Sequence, residues 1–164
     1  MLINISGCGF HLRGTTGNYK FPFKSAIIEC DNIAICDNFK NTVHSQNLTQ
    51  IITSPMKSEI TIKIFNEKTD KTAQGYNIAG RISNYTLTYE VDAQILKNHE
   101  QIGKTIHVKT FSTVNYNDSQ ILAANQDEVS GWGNIHKNAI RDLIGRIIFF
   151  KTNPINLNNE PNTK

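Results

Sequence analysis

Residues 84–95, Asn84-Tyr85-Thr86-Leu87-Thr88-Tyr89-Glu90-Val91-Asp92-Ala93-Gln94-Ile95, alternate without a break. Tyr85, Leu87, Tyr89, Val91, Ala93 and Ile95 fall on one side, and Asn84, Thr86, Thr88, Glu90, Asp92 and Gln94 on the other. Side chains of an extended chain point to opposite faces in turn, so this stretch predicts a long strand with one face in a core. A turn is expected at Lys97–Gly103. Beyond it Ile106, Val108, Thr110, Ser112, Val114 and Tyr116 repeat the period and predict an antiparallel partner. Upstream, Ile60, Ile62 and Ile64 alternate with Thr61 and Lys63, a third strand. Ala26–Glu29 and Gln50–Thr53 read as two short strands, the second stopped by Pro55. Glu67–Gln74 is polar and lacks a period, so it reads as a turn or an exposed irregular stretch.

Two stretches change to helical spacing. From Asn32 onward Ile35, Phe39, Val43 and Leu48 recur, with Asp31 or Asn32 available as N-cap. After an expected loop at Asn117–Gln126, a long helix is predicted from Asp127 to Phe150. Its stripe is Val129, Trp132, His136, Ala139, Ile140, Leu143, Ile144, Ile147 and Ile148. Asp127 and Glu128 at its start and Lys151 at its end complement the helix dipole. The order β-α-β-β-β-β-α is that of an α/β two-layer sandwich, with two helices packed on one face of a four- to five-stranded mixed sheet. The other sheet face carries Thr, Asn, Glu and Lys and must look at solvent or at a partner.

Composition agrees with a single globular domain. The chain has 164 residues, 38% of them apolar and 19% charged, with a mean hydropathy of −0.37. Ile outnumbers Leu 23 to 8, an excess that favours strands. No stretch approaches the roughly 20 apolar residues of a spanning helix. The net charge of +3 comes from scattered basic residues with no nucleic-acid-binding motif, so no nucleic acid partner is expected.

The chemistry-bearing residues form no familiar constellation. His11, His44, His99, His107 and His136 are far apart, and no nucleophile elbow, P-loop or dinucleotide fingerprint occurs. Glu90 and Asp92 share a strand face roughly 7 Å apart, and solvated strand charges account for them. His107 reads as exposed on the polar face, and His136 as a half-buried, satisfied side chain. No enzyme activity, cofactor or metal site is expected. Cys30 and Cys36, six apart, flank the turn between first strand and first helix. They either close a small disulfide loop or remain two buried thiols, and their Cα separation decides which.

Cys8 stands apart. Ile5-Ser6-Gly7-Cys8 resembles a bacterial lipobox, in which the cysteine thiol takes diacylglycerol and becomes the mature N-terminus. Only seven residues precede it, fewer than a signal peptide needs, so a trimmed signal or a start codon placed too late is expected.

Residues 6–14, Ser-Gly-Cys-Gly-Phe-His-Leu-Arg-Gly, resemble the N-terminal signature of the lipopolysaccharide-assembly lipoprotein family (LptE, also called rare lipoprotein B). Gly80-Arg81-Ile82-Ser83-Asn84-Tyr85-Thr86-Leu87 resembles that family's R-x-x-x-Y-x-L approach to its longest strand. The hairpin and the long C-terminal helix follow in family order to about residue 152. The resemblance implies an outer-membrane lipoprotein, anchored through Cys8 on the periplasmic face. Such a protein plugs and helps assemble an LptD-type β-barrel and takes part in delivering lipopolysaccharide to the outer leaflet. It also implies the same two-layer fold. The chain departs from the family at 119–126, where Asn125 offers no cation for lipopolysaccharide phosphate. Arg81, near the tip leading into the long strand, is the candidate lipopolysaccharide contact, since its planar fork binds phosphate oxygens bidentately. A stand-alone periplasmic lipoprotein binding a glycolipid or peptide is the alternative. Three segments are expected: a lipobox remnant and extended leader at 1–25, the α/β domain at 26–152, and a disordered tail at 153–164.

Overall fold

Hydrophobic alternation sets the frame of the molecule. The computed structural model describes residues 19–150; Cys8 and the 153–164 tail lie outside the described residues. In chain order the elements are β1 (Ser25–Cys30), α1 (Cys36–Ser45), β2 (Gln50–Ile51), β3 (Ile60–Tyr76), β4 (Ile82–Lys97), β5 (Glu100–Asn115) and α2 (Ile121–Ile148). Single 3-10 turns at Pro55–Lys57 and Asp118–Gln120 precede β3 and α2. The strands form one five-stranded sheet in the order β2-β1-β3-β4-β5. β1 runs parallel to β2 and β3, and the β3–β4 and β4–β5 pairs are antiparallel. The fold is the two-layer mixed α/β sandwich expected from the sequence.

The core lies between the helices and one sheet face. Ile28 pairs with Ile62 and Ile62 with Ile95, so the apolar positions of three strands share a side. Leu87, Tyr89, Val91 and Ala93 extend that side along β4, each fully buried. Phe39 and Val43 of α1 close it near β2 and β1, while Ile135, Ala139, Leu143 and Ile147 of α2 close it over β4 and β5. Gly131 lets α2 approach the sheet, because a Cβ there would stand 2.6 Å from Val114 and 3.0 Å from Leu87. The leader contributes as well: Phe21 and Phe23 are buried in the same core.

Four expectations need correction. Glu67–Gln74 is strand, continuing β3 to Tyr76. The β4–β5 turn is not seven residues long: Asn98 and His99, both at positive φ, make a two-residue hairpin turn whose twist matches the flanking strands. The loop expected at Asn117–Gln126 is a short 3-10 turn followed by helix from Ile121, and Val129 is exposed rather than on the buried stripe. α1 starts at Cys36 instead of Asn32, and no side chain caps it.

The molecule therefore has two distinct ends. The β4–β5 turn, the end of α2 and the first described residue share one of them, where Tyr19 packs on Phe149 at 6.3 Å and Phe150 covers Gly103. The β3–β4 turn and the start of α2 share the other. With 16 residues, β4 separates the ends by roughly 50 Å.

Candidate functional site

The distal end is built by the turn Asn77–Arg81. Asn77 Oδ1 accepts the backbone N–H groups of Ala79 and Arg81, and the backbone N–H of Asn77 donates to the Arg81 carbonyl. An asparagine at this position shapes the turn locally, which fixes where Arg81 emerges. Arg81 Nη1 donates to Asp118 Oδ2 at 2.9 Å, tying the turn to the segment that leads into α2. The side chain of Arg81 remains 65% exposed, so its fork still faces solvent, though one nitrogen is already engaged. Around this pair stand Tyr76, Ile78, Ile121 and Leu122, all exposed. An end that combines a held cation with four uncovered apolar side chains suits an amphipathic surface or a protein partner better than water.

Behind the tip a polar seam joins β3 to α2. Lys71 donates to Glu128 Oε2 and sits 4.4 Å from the centre of the Tyr85 ring. The Lys71 hydrogen bond holds the Glu128 carboxyl below its usual range, and a weaker bond from Trp132 adds to this. Deeper in, Tyr89 Oη donates to Glu67 Oε1 at 2.6 Å, and Ala34 N–H donates to the same carboxylate. Asn66, at positive φ, makes an irregularity in the β3–β4 register that turns Glu67 to this inner side. Burial pushes the Tyr89 phenol far above its ordinary value, and the Glu67 carboxylate pushes the same way. His136 stacks edge-on against Tyr89 at 4.7 Å. Burial lowers its affinity for a proton, with the Glu67 charge opposing. Its Nε2 is buried with no partner among the described residues, so the satisfied histidine expected from the sequence is half-buried but unsatisfied.

The open sheet face is a ladder of directly opposed charges. Glu90 lies across from Lys109 and Asp92 across from His107. Lys109 Nζ donates to Glu90 at 2.7 Å, and His107 Nδ1 lies 2.6 Å from Asp92 Oδ1, which places the ring proton on Nδ1. Asn66 Nδ2 donates to the other Asp92 oxygen at 2.6 Å. Asp92 is therefore not a solvated strand charge: it is 8% exposed and bonded on both oxygens. Phe111 stands uncovered on this face at 72% exposure. Glu90 and Asp92 are both committed to cross-strand partners, and the structure does not bring His136 near them. Among the described residues no three His, Cys, Asp or Glu side chains gather as metal ligands, and no helix is long and apolar enough to cross a membrane.

Part-way along the sheet, at the close of β1, Cys30 and Cys36 form a disulfide, with Cα atoms 6.2 Å apart. It ties the end of β1 to the first residue of α1 and resolves the alternative left open by spacing. The partners of Arg81 and Asp92 could not be found from sequence. Asp118 is 37 residues from Arg81, and Asn66 is 26 from Asp92. The local signal at hand was the Asn66-Glu67 pair interrupting the Ile60–Ile64 alternation.

No protein-family model matches the chain, and no curated protein matches it. Solved structures do. A lipoprotein B from Nitrosomonas europaea superposes with a TM-score of 0.72 at 20% identity, over 85% of this chain and 90% of the other. A minor lipoprotein from Acinetobacter baumannii gives 0.65 at 11% identity, over 79% and 93%. The rare lipoprotein B from Shewanella oneidensis gives 0.60 at 11% identity, over 77% and 92%. The names are those of the family that residues 6–14 resemble, and the shared feature is the fold.

Proposed function

We propose, with the fold of the rare lipoprotein B structures as premise, that this chain is a lipid-anchored envelope protein of the LptE type. It acts as a non-catalytic plug and assembly factor for an LptD-type outer-membrane β-barrel and assists delivery of lipopolysaccharide to the outer leaflet. The observation that carries this reading is the agreement of two independent signals: the shared fold, and the Ser6–Gly14 motif with its acylatable Cys8.

The geometry supports the reading in four ways. The Cys30–Cys36 disulfide suits an oxidising compartment such as the periplasm. The chain leaves toward Cys8 from Tyr19, at the end opposite Arg81, so an anchor in the inner leaflet and a tip directed away from it are compatible. The roughly 50 Å spanned by β4 matches a bilayer of roughly 40–45 Å with its headgroups. A domain standing upright in a barrel lumen has the length to present Arg81 near the outer leaflet. The polar ladder of the open face suits a water-filled, hydrogen-bonding lumen wall, with Phe111 as an apolar contact. Arg81, with Asp118 as positioning partner, meets lipopolysaccharide phosphate in this account.

The test is co-purification from detergent-solubilised outer membranes of the native source. A stable partner of barrel size is expected, and a Cys8→Ser form should leave the membrane fraction. Recovery of the protein alone, with an unmodified thiol at Cys8 by intact mass, would favour a free periplasmic binding module instead.

A further inference from the structure

The end from which the chain leaves toward Cys8 carries a rim that neither the core nor the tip accounts for. Met56 is 97% exposed there, Phe149 73% and Tyr19 49%. They stand on segments tied to one another. The turn Pro55–Lys57 lies against the β4–β5 turn, where Pro55, Ser58, Asn98 and His99 line one shallow pocket. The backbone N–H of Lys24 donates to Glu59 Oε2 at 2.8 Å, and Ser25 Oγ donates to the Lys57 carbonyl. The approach to β1 is thereby fastened to the same turn, and at its start Tyr19 packs on Phe149 at the close of α2.

The charge of these segments is one-sided. Lys20, Lys24, Lys57, Lys97 and Lys104 are all exposed. None of the five is ion-paired among the described residues, whereas Lys63, Lys71, Arg81, Lys109 and Arg146 all are. The carboxylates of the same segments are Glu59, already bonded to the Lys24 N–H, and Glu100. Exposed apolar side chains are ordinary when they stand singly. Three of them interleaved with five unpaired lysines have the composition of an interfacial surface. Aromatic rings rest at headgroup depth, and lysine stems lie along apolar surface with their ammonium groups in the polar layer.

The covalent chain selects the partner. Tyr19 follows Cys8 by eleven residues, a length that reaches at most roughly 40 Å when fully extended. This end is therefore held beside whatever bilayer takes the anchor. We propose that the rim is a docking surface for a phospholipid bilayer with anionic headgroups, with Tyr19, Met56 and Phe149 in the headgroup layer and the five lysines on its phosphates. The choice of a bilayer rests on the reading of Cys8 as an acylated anchor. An acyl anchor alone fixes the distance of the domain from the membrane but not its orientation. Docking by the rim adds the orientation: β4 stands away from the surface, and the tip is directed away from the anchoring leaflet.

The test is sedimentation of the full chain, as its unacylated Cys8→Ser form, with vesicles of phosphatidylethanolamine and phosphatidylglycerol and with vesicles of phosphatidylcholine alone. Binding to the anionic vesicles should be at least about tenfold stronger than to the neutral ones and should weaken as salt rises. The double variants Lys57→Gln/Lys97→Gln and Met56→Gln/Phe149→Gln should each lower it about tenfold or more. Their Tm should stay within about 2 °C of the parent, because these side chains are exposed. Lys68→Gln/Val129→Gln, which removes an exposed charge and an exposed apolar side chain away from the rim, should bind as the parent does. With no acyl chain present, the result does not depend on modification of Cys8 or on a barrel, which intact mass and co-purification read separately. Four results would overturn the assignment: no binding to anionic vesicles, equal binding to neutral ones, undiminished binding by either rim variant, or an equal loss in the Lys68→Gln/Val129→Gln variant.

Discussion

The two ends of this molecule are built on opposite principles. At the end shared by the chain's first described residue and the close of α2, the inward faces of the strands and of α2 are covered, with Tyr19, Met56 and Phe149 left exposed at the rim. Ile60, Ile62, Ile95, Leu143 and Ile147 are buried, and further along the sheet a disulfide fastens α1 to β1. At the other end the β3–β4 hairpin continues beyond the reach of β1, whose pairing stops at Ile64. There the outer edge of β3 is unpaired from Lys68 to Tyr76, and Tyr76, Ile78 and Leu122 are exposed. The contrast separates a scaffold from a working surface: one end holds the fold and the other has residues to spare for a partner.

Substitutions at the two ends sharpen that contrast. Leu143→Ala should destabilise the domain by about 2–5 kcal/mol, through lost transfer energy and a cavity. Ile78→Ala should change stability by less than about 0.5 kcal/mol, because nothing in the chain packs on it. Denaturant melts of the two variants measure the difference; comparable losses would mean that the tip is part of the core. Replacing Cys30 and Cys36 by serine should cost about 2 kcal/mol, the amount expected for opening a short loop. Thermal midpoints with and without reductant provide the check.

Much of this architecture was legible because burial writes alternation into a sequence. β4 and β5 were clear from Tyr85 to Val114, since one face of each is sealed by α2. The second half of β3 was not. Lys68, Asp70, Lys71 and Thr72 lie on an open edge with no buried side, so no period marks them as strand. The first two turns of α2 were hidden for the same reason: Ile121 and Leu122 are exposed, and Ala124 alone is buried there. The candidate site was legible only in part. Arg81 could be singled out by its motif, but the Asp118 that holds it and the bulge that turns Glu67 inward arise from pairing across the sheet. Cys8 falls outside the described residues, and its role rests on the motif.

A smaller effect distinguishes the interior from both ends. In the folded chain His136 takes up a proton less readily than its ordinary value of about 6.5, because burial disfavours the charged ring. The unfolded chain therefore binds more protons as pH falls below about 6.5, and stability is lost in that direction. His136→Phe keeps a ring against Tyr89 and removes the titration. Its stability should fall less steeply from pH 7 to pH 5 than that of the parent, and an unchanged slope would remove His136 from the account.

A small change in stability is also expected at the cation of the tip. Arg81→Ala removes an exposed ion pair with Asp118, which contributes at most about 1 kcal/mol. The thermal midpoint should hardly move, whereas lipopolysaccharide binding should weaken at low salt. Unaltered binding across several salt concentrations would reject Arg81 as a contact.

The most direct measurement of the central claim is site-specific photocrosslinking in growing cells, with the probe placed in turn at Ile78 on the tip, at Phe111 on the open sheet face, and at Leu143 in the core. The account predicts adducts of barrel mass from Ile78 and Phe111 and none from Leu143, with the protein in the outer-membrane fraction. Outer-membrane protein that yields no barrel-sized adduct at either exposed position would contradict it.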